Sequence, residues 1–182
     1  MAFLSWDENH PEPTEYNDYY GGYISLVTEP NVIQMLIQQG QKVHTYLQRL
    51  SPEQADYRYA EGKWSVREMI GHLIDTERIM AYRALSIARG ERQSLPGYDQ
   101  DAYVEHAGFG DRSLKSLSTE YDAQRNANVS LFNSFSDEQT RRTGTANDAA
   151  LSVRAVVHII AGHERHHLNI LREKYGIETG SV

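Results

Sequence analysis

The stretch from Trp64 to Gly90 carries the firmest structural instruction in this chain. Ser65 followed three residues later by Glu68 makes a capping box, in which each side chain can satisfy the other residue's backbone N–H. Trp64 before the cap and Met69 after it are placed to form the hydrophobic staple that fixes the entry of a helix. Met69, Ile70, Leu73 and Ile74 continue at helical spacing, and Arg89 with Gly90 supplies the stop. A helix from Ser65 to about Arg89–Gly90 needs partners for its apolar stripe, and the rest of the chain offers them as helices.

An earlier helical pattern begins at Pro30–Asn31, with Val32, Met35, Leu36, Val43, Tyr46, Leu47 and Leu50 on one stripe, and stops at Ser51–Pro52, where proline suits the first turn of a short new helix. A third helix is expected from Ser113 to Phe135, carrying Leu114, Leu117, Tyr121, Leu131, Phe132 and Phe135. The fourth begins near Ser152 and ends around Tyr175–Gly176. Residues 91 to about 112 form a long connection with room for a short helix, and 136–150 hold turn-formers with a helical turn at Ser136–Gln139. No segment shows convincing strand alternation. Four long helices imply an all-α four-helix bundle, and the length of the 91–112 connection allows two helices to run parallel. Residues 1–29, rich in Tyr and Pro, read as an irregular strap laid on a bundle domain of residues 30–182. Trp64-Ser65-Val66-Arg67 and Leu151-Ser152-Val153-Arg154 echo each other, which the shared preference for Ser at a helix cap explains.

A chain of 182 residues, 40% of them hydrophobic, suits one domain with a sizeable core. No run approaches a membrane span, and the N-terminus lacks the pattern of a secretion signal, so a cytoplasmic protein without membrane contact is expected. The absence of cysteine excludes disulfides, catalytic thiolates and Cys-ligated metals. A net charge of −7 argues against nucleic acid as a partner.

Chemistry is concentrated in His163-Glu164-Arg165-His166-His167. On a helix, positions 163 and 167 lie roughly 40° apart on one face, one above the other, as a two-point clamp for a divalent cation. Val153, Val156, Ile160, Leu171 and Lys174 track the same stripe, which places the pair toward the bundle interior. His72, set among Met69, Ile70, Leu73 and Ile74, is the candidate third ligand. His166 could instead face the metal with His167 turned aside, and spacing alone leaves both open. The segment also fits the His-Glu-x-x-His pattern of zinc proteases. Its extended form fails here, because Ile170 stands where Gly is required and no histidine follows His167; Glu173 or Glu178 would be the only downstream carboxylate ligands. Glu164 reads as a helix-surface residue or a partner to a ligand. Asp75, one turn from His72, could orient a ligand or accept a proton, Glu68 is taken up by capping, and Tyr98, Asp99 and Asp101 could rim a pocket. No catalytic residue can be assigned.

Two motifs, Gly62-Lys63-Trp64-Ser65-Val66-Arg67-Glu68-Met69-Ile70-Gly71-His72-Leu73-Ile74-Asp75 and Ala161-Gly162-His163-Glu164-Arg165-His166-His167-Leu168-Asn169-Ile170, together with Leu95-Pro96-Gly97-Tyr98-Asp99, resemble the DinB/YfiT-like superfamily in order and spacing over residues 30 to 175. The resemblance implies an up-down-down-up four-helix bundle, often a homodimer, with zinc or nickel held by three histidines, here His72, His163 and His167, leaving His166 as a neighbour. It further implies a metal-dependent hydrolase using metal-activated water on a small-molecule substrate. The alternatives are a transferase that uses a low-molecular-weight thiol and a non-enzymatic metal- or ligand-binding bundle.

Overall fold

The computed structural model describes Trp6 and residues 9–177. After short 3-10 turns at Pro13–Glu15 and Asp18–Tyr20 come α1 (Gly21–Ile24), α2 (Val32–Arg49), α3 (Pro52–Asp56), α4 (Val66–Ala88), α5 (Gln100–Ala107), α6 (Leu114–Asn133) and α7 (Asp137–Arg141). A hairpin, β1 (Thr143–Ala146) and β2 (Ala149–Ser152), leads into α8 (Val153–Tyr175). None of the described helices is long and apolar enough to cross a membrane.

The long helices start where serine or asparagine side chains cap them. Asn31, Ser65, Ser113 and Ser152 each accept a hydrogen bond from a first-turn backbone N–H. At Ser65 the capping box closes, with Ser65 N donating to Glu68 Oε2 at 2.6 Å and Glu68 N to Ser65 Oγ at 3.3 Å. Gly176 ends α8 at φ 66°, a left-handed conformation that glycine adopts without steric penalty.

Contacts between the four long helices set their directions. Tyr175 Oη at the end of α8 donates to Trp64 O just before α4 at 2.6 Å, so these two helices run antiparallel. Arg67, early in α4, donates to Arg112 O just before α6, and Glu77 further along meets Arg125, so α4 and α6 run parallel. His44 of α2 pairs with Asp122 of α6 while Leu36 O accepts from Arg125, which makes α2 antiparallel to α6. Gln39 reaches Ala161 O, and Tyr46 shares a cavity wall with Ile177 beyond α8, so α2 and α8 are parallel. The result is an up-down-down-up bundle, with the 91–112 connection carrying the chain between the two parallel neighbours.

The core divides in two. Met35, Leu36, Ala84, Ile87, Phe132, Val156 and Ile160 fill one end, and Val43, Leu47, Ile70, Leu117, Leu168 and Leu171 the other. Between these stretches every long helix contributes buried polar side chains: Gln39 from α2, His72, Thr76 and Glu77 from α4, Arg125 and Asn128 from α6, and His163, Glu164 and His167 from α8. A polar belt therefore crosses the middle of the bundle, where burial makes hydrogen bonding obligatory.

Two features depart from the sequence expectations. Lys174, on the stripe drawn through α8, is exposed, because Leu171 and Tyr175, about 40° apart, carry the buried face of the last turn and position 174 falls to its side. The segment expected to hold turns and one helical turn also forms the β1–β2 hairpin, pairing Thr143 with Ser152 and Ala146 with Ala149. Asn147 and Asp148 make its two-residue turn with φ of 50° and 58°, the left-handed geometry that matches the twist of paired strands. Leu95 joins the hairpin edge through Leu95 N to Thr145 O and Asn147 N to Leu95 O, both at 2.9 Å, and so pins the 95–98 segment above α4.

Candidate metal centre

The histidines converge in the polar belt. His72 comes from α4 and His163 and His167 from successive turns of α8, whose antiparallel packing brings the three rings together. His163 Nε2 lies 3.0 Å from His72 Nε2 and 3.1 Å from His167 Nε2. All three rings are buried. Burial disfavours the imidazolium, lowering His72 to a pKa of about 4 and His167 to about 3, with neighbouring histidines adding to the effect on His167. Burial, then the charges of His167 and His72, pushes His163 well below its ordinary value. At neutral pH each ring is uncharged and retains one nitrogen lone pair.

That donor set fits a cation. A proton shared between two ring nitrogens leaves the third without a partner, whereas a zinc-sized ion accepts all three. Tetrahedral ligation at the usual Zn–N length would separate the nitrogens by about 3.3 Å, within a few tenths of an ångström of the two close spacings here. His167 Nδ1 is buried without a hydrogen-bond partner in the described structure.

Around the cluster, Trp64 lies against His72 with ring centroids 4.7 Å apart, and Tyr23 meets His163 edge-on at 5.2 Å. Thr76 Oγ1 is 3.4 Å from His72 Nδ1 and 2.8 Å from Tyr98 Oη, a relay that reaches from the ligand ring to the crossover segment. A cavity of about 290 Å³ opens on His163 and is lined by Tyr20, Tyr23, Thr76 and Tyr98; a second, of about 210 Å³, opens on His167 beside Trp64 and Asp101. Burial raises the Tyr98 hydroxyl pKa, with Thr76 and Arg83 pulling the other way. Burial likewise raises that of Tyr23, helped by Tyr19.

Other residues singled out in the sequence lie elsewhere. His166 is half-buried, packing against Tyr23 and the edge of His167, outside the nitrogen cluster. Asp75 sits 3.7 Å from Arg78 and has no hydrogen bond to His72 in the described structure; Thr76, one residue on, makes that contact instead. Glu68 is held by Ser65 and by Arg58. Asp99 caps α5, accepting from Asp101 N and Ala102 N, while Tyr98 and Asp101 line the two cavities. Glu164 is buried and faces α6: Arg125 Nη2 is 2.5 Å from its Oε2, and Tyr121 Oη donates to the same atom at 2.7 Å. Arg125 also pairs with Glu77 at 2.7 Å, and Asn128 donates to Glu77 at 3.0 Å. The sequence reading missed Tyr23, Trp64 and Thr76 as neighbours of the histidines. For Thr76 the signal was its position one turn after His72.

These features define a class: a helical bundle with a parallel inner pair of helices and a buried three-histidine cluster on its middle layer. Residues 35–171 match the sequence profile of the DinB superfamily, and the chain belongs to that superfamily. A protein of Oceanobacillus iheyensis named "putative metal-dependent hydrolase" is 24% identical over 151 residues, spanning 77% of this chain and 85% of that protein. The solved structure of YfiT from Bacillus subtilis, described as "a probable metal-dependent hydrolase with an unusual four-helix bundle topology", superposes with a TM-score of 0.72 at 18% identity, covering 92% of this chain and 94% of that one.

Proposed function

We propose that His72, His163 and His167 hold one divalent cation, zinc or nickel, through their Nε2 atoms, and that the protein hydrolyses a small molecule. The convergence of three neutral buried imidazoles carries the reading, and the hydrolase names of the two relatives agree with it. When bound, the cation lowers the pKa of water toward neutrality and polarises a carbonyl.

The chain's own residues supply the rest. Neutral nitrogen ligands leave the ion its full double charge. The Thr76 hydroxyl, held by Tyr98, steadies the outer nitrogen of His72, as partners of metal-ligating histidines commonly do. Trp64 and Tyr23 cover two of the rings and limit water access. The raised pKa of the Tyr23 and Tyr98 hydroxyls keeps both protonated at neutral pH, as hydrogen-bond donors toward a substrate oxygen. Glu164, bound by Arg125 and Tyr121, is a frame residue in this reading and not a general base.

Metal analysis of the purified protein tests the proposal. One equivalent of zinc or nickel is expected, and none in His72→Ala. At a free metal concentration of 100 times Kd, binding stabilises the fold by about 2.7 kcal/mol, a rise in Tm of roughly 5–10 °C for a chain of this size. Full occupancy in His72→Ala would refute the site. Ester or amide hydrolysis should proceed without added thiol; turnover seen only with thiol present would replace hydrolysis by thiol transfer.

A further inference from the structure

Among the described residues, Arg83 is the only permanently charged side chain lining the cavity that opens on His163, and no carboxylate lines it. The arginine is 2% exposed. Its Nη2 donates to Pro96 O at 2.8 Å and its Nη1 approaches Met80 Sδ at 3.5 Å, while Nε, itself buried, has no hydrogen-bond partner in the described structure. Among the described residues it forms no ion pair. Every other arginine on the buried side of this bundle has one: Arg67 with Asp56, Arg125 with Glu77 and Glu164, Arg154 with Glu15, Arg165 with Glu29. A buried guanidinium without a counter-charge is costly, and the chain as a whole carries an excess of carboxylates from which to provide one. Leaving this cation unpaired at a cavity wall makes sense when the counter-charge arrives with the ligand.

We infer that Arg83 is an anion-binding residue, and that the cavity takes an elongated small molecule whose terminal oxyanion, a carboxylate or a phosphate, pairs with the guanidinium while its other end reaches the histidines. The inference names a substrate class for the proposed metal centre and rests on that reading for the role of the far end. His72, Thr76, Met80 and Arg83 follow one face of α4, so the two ends are separated by three turns, about 16 Å along the helix axis, less the backward lean of the arginine side chain. The wall between them is aromatic, with Tyr20, Tyr23 and Tyr98 presenting rings to the ligand body and hydroxyls as further hydrogen-bonding groups. The Nη hydrogens not taken by Pro96 O and Met80 Sδ can form the charge-assisted hydrogen bonds that oxyanions accept from arginine.

Calorimetric titration of the zinc-loaded full-length protein tests this with three probes: 4-phenylbutyrate, 3-phenylpropyl phosphate and the neutral 4-phenylbutanamide. At least one anion should bind about tenfold or more tightly than the amide, the scale of a charge-assisted hydrogen-bond pair, and the better of the two identifies the oxyanion. In Arg83→Gln the anions should fall to the affinity of the amide, with zinc content and amide binding unchanged. His72→Ala, without zinc, should keep the preference for anions. Equal binding of anion and amide by the wild type overturns the inference and needs no variant to show it. So does an anion preference that survives Arg83→Gln and disappears with the zinc, which would make the anion a metal ligand. Loss of amide binding along with anion binding in Arg83→Gln would reduce Arg83 to a clamp on Pro96. Zinc retained by His72→Ala counts against the metal centre alone, so the two readings fail separately.

Discussion

Arg125 Nη2 stands 2.5 Å from Glu164 Oε2, and this contact commits the glutamate of the His-Glu-x-x-His segment to the bundle frame. In a zinc protease that glutamate faces the metal as a base. Here Glu164 is one residue along the helix from His163 and so points about 100° away, toward α6. Burial raises its pKa, with Arg125 and the Tyr121 hydroxyl working in the opposite direction. The same guanidinium ties Glu77 of α4 and Leu36 O of α2, so one side chain joins all four long helices at the level of the histidines.

Arg125→Met should therefore destabilise the protein by about 3–5 kcal/mol in urea unfolding, because two buried carboxylates lose their counter-charge. Adding Glu77→Gln should recover part of the loss, since one buried charge fewer remains. A single variant within 1 kcal/mol of wild type would show that Arg125 is not the centre of the frame.

Gly162→Ala should detach the N-terminal turn from α8. A Cβ at position 162 would lie 1.9 Å from Tyr23 O and 2.5 Å from Tyr23 C, and these are backbone atoms with no rotamer to escape into. Overpacking of this kind costs about 1–3 kcal/mol, and α1 with the Tyr23 ring should move off His163. Limited proteolysis should cut residues 21–28 faster in Gly162→Ala than in Gly22→Ala, where the added methyl meets nothing within 4 Å. Equal cleavage in the two variants would contradict the close approach.

What the sequence disclosed and what it hid follow from the range of the interactions. Caps, staples and the spacing of His163 and His167 are local, and the serines at 65, 113 and 152 announced three of the long helices to within a residue. The crossover length pointed to a parallel pair. Arg125 was invisible because a charged residue on a helix reads as solvated surface, and only the approach of Glu77 and Glu164 from two other helices makes its burial tolerable. The hairpin was hidden because Thr143–Ala146 and Ala149–Ser152 are short and poor in β-branched alternation, and because Asn-Asp is a weaker turn signal than Asn-Gly. Tyr23 and Trp64 reach the histidines from distant points in the chain, which no spacing rule anticipates.

His158 should make the protein sensitive to mild acid independently of the metal centre. It lies on α8 away from the three-histidine cluster, its Nδ1 bonded to Arg154 O at 2.9 Å and its ring edge-on to His10 at 4.9 Å, with Arg154 and Glu15 acting on it electrostatically. Burial is the main cause that lowers its pKa from 6.5 to about 4. Below pH 6.5 the unfolded chain takes up a proton at this side chain, while the folded protein stays neutral there until about pH 4, so the unfolded state binds more protons and stability falls with falling pH across that window. Between pH 7 and pH 5 the loss from this group is about 2 kcal/mol. Urea unfolding in the presence of chelator, which removes any contribution from metal release, should show wild type losing about that much more than His158→Gln over the same interval. Losses of equal size in the two proteins would mean that His158 titrates alike folded and unfolded, against its burial.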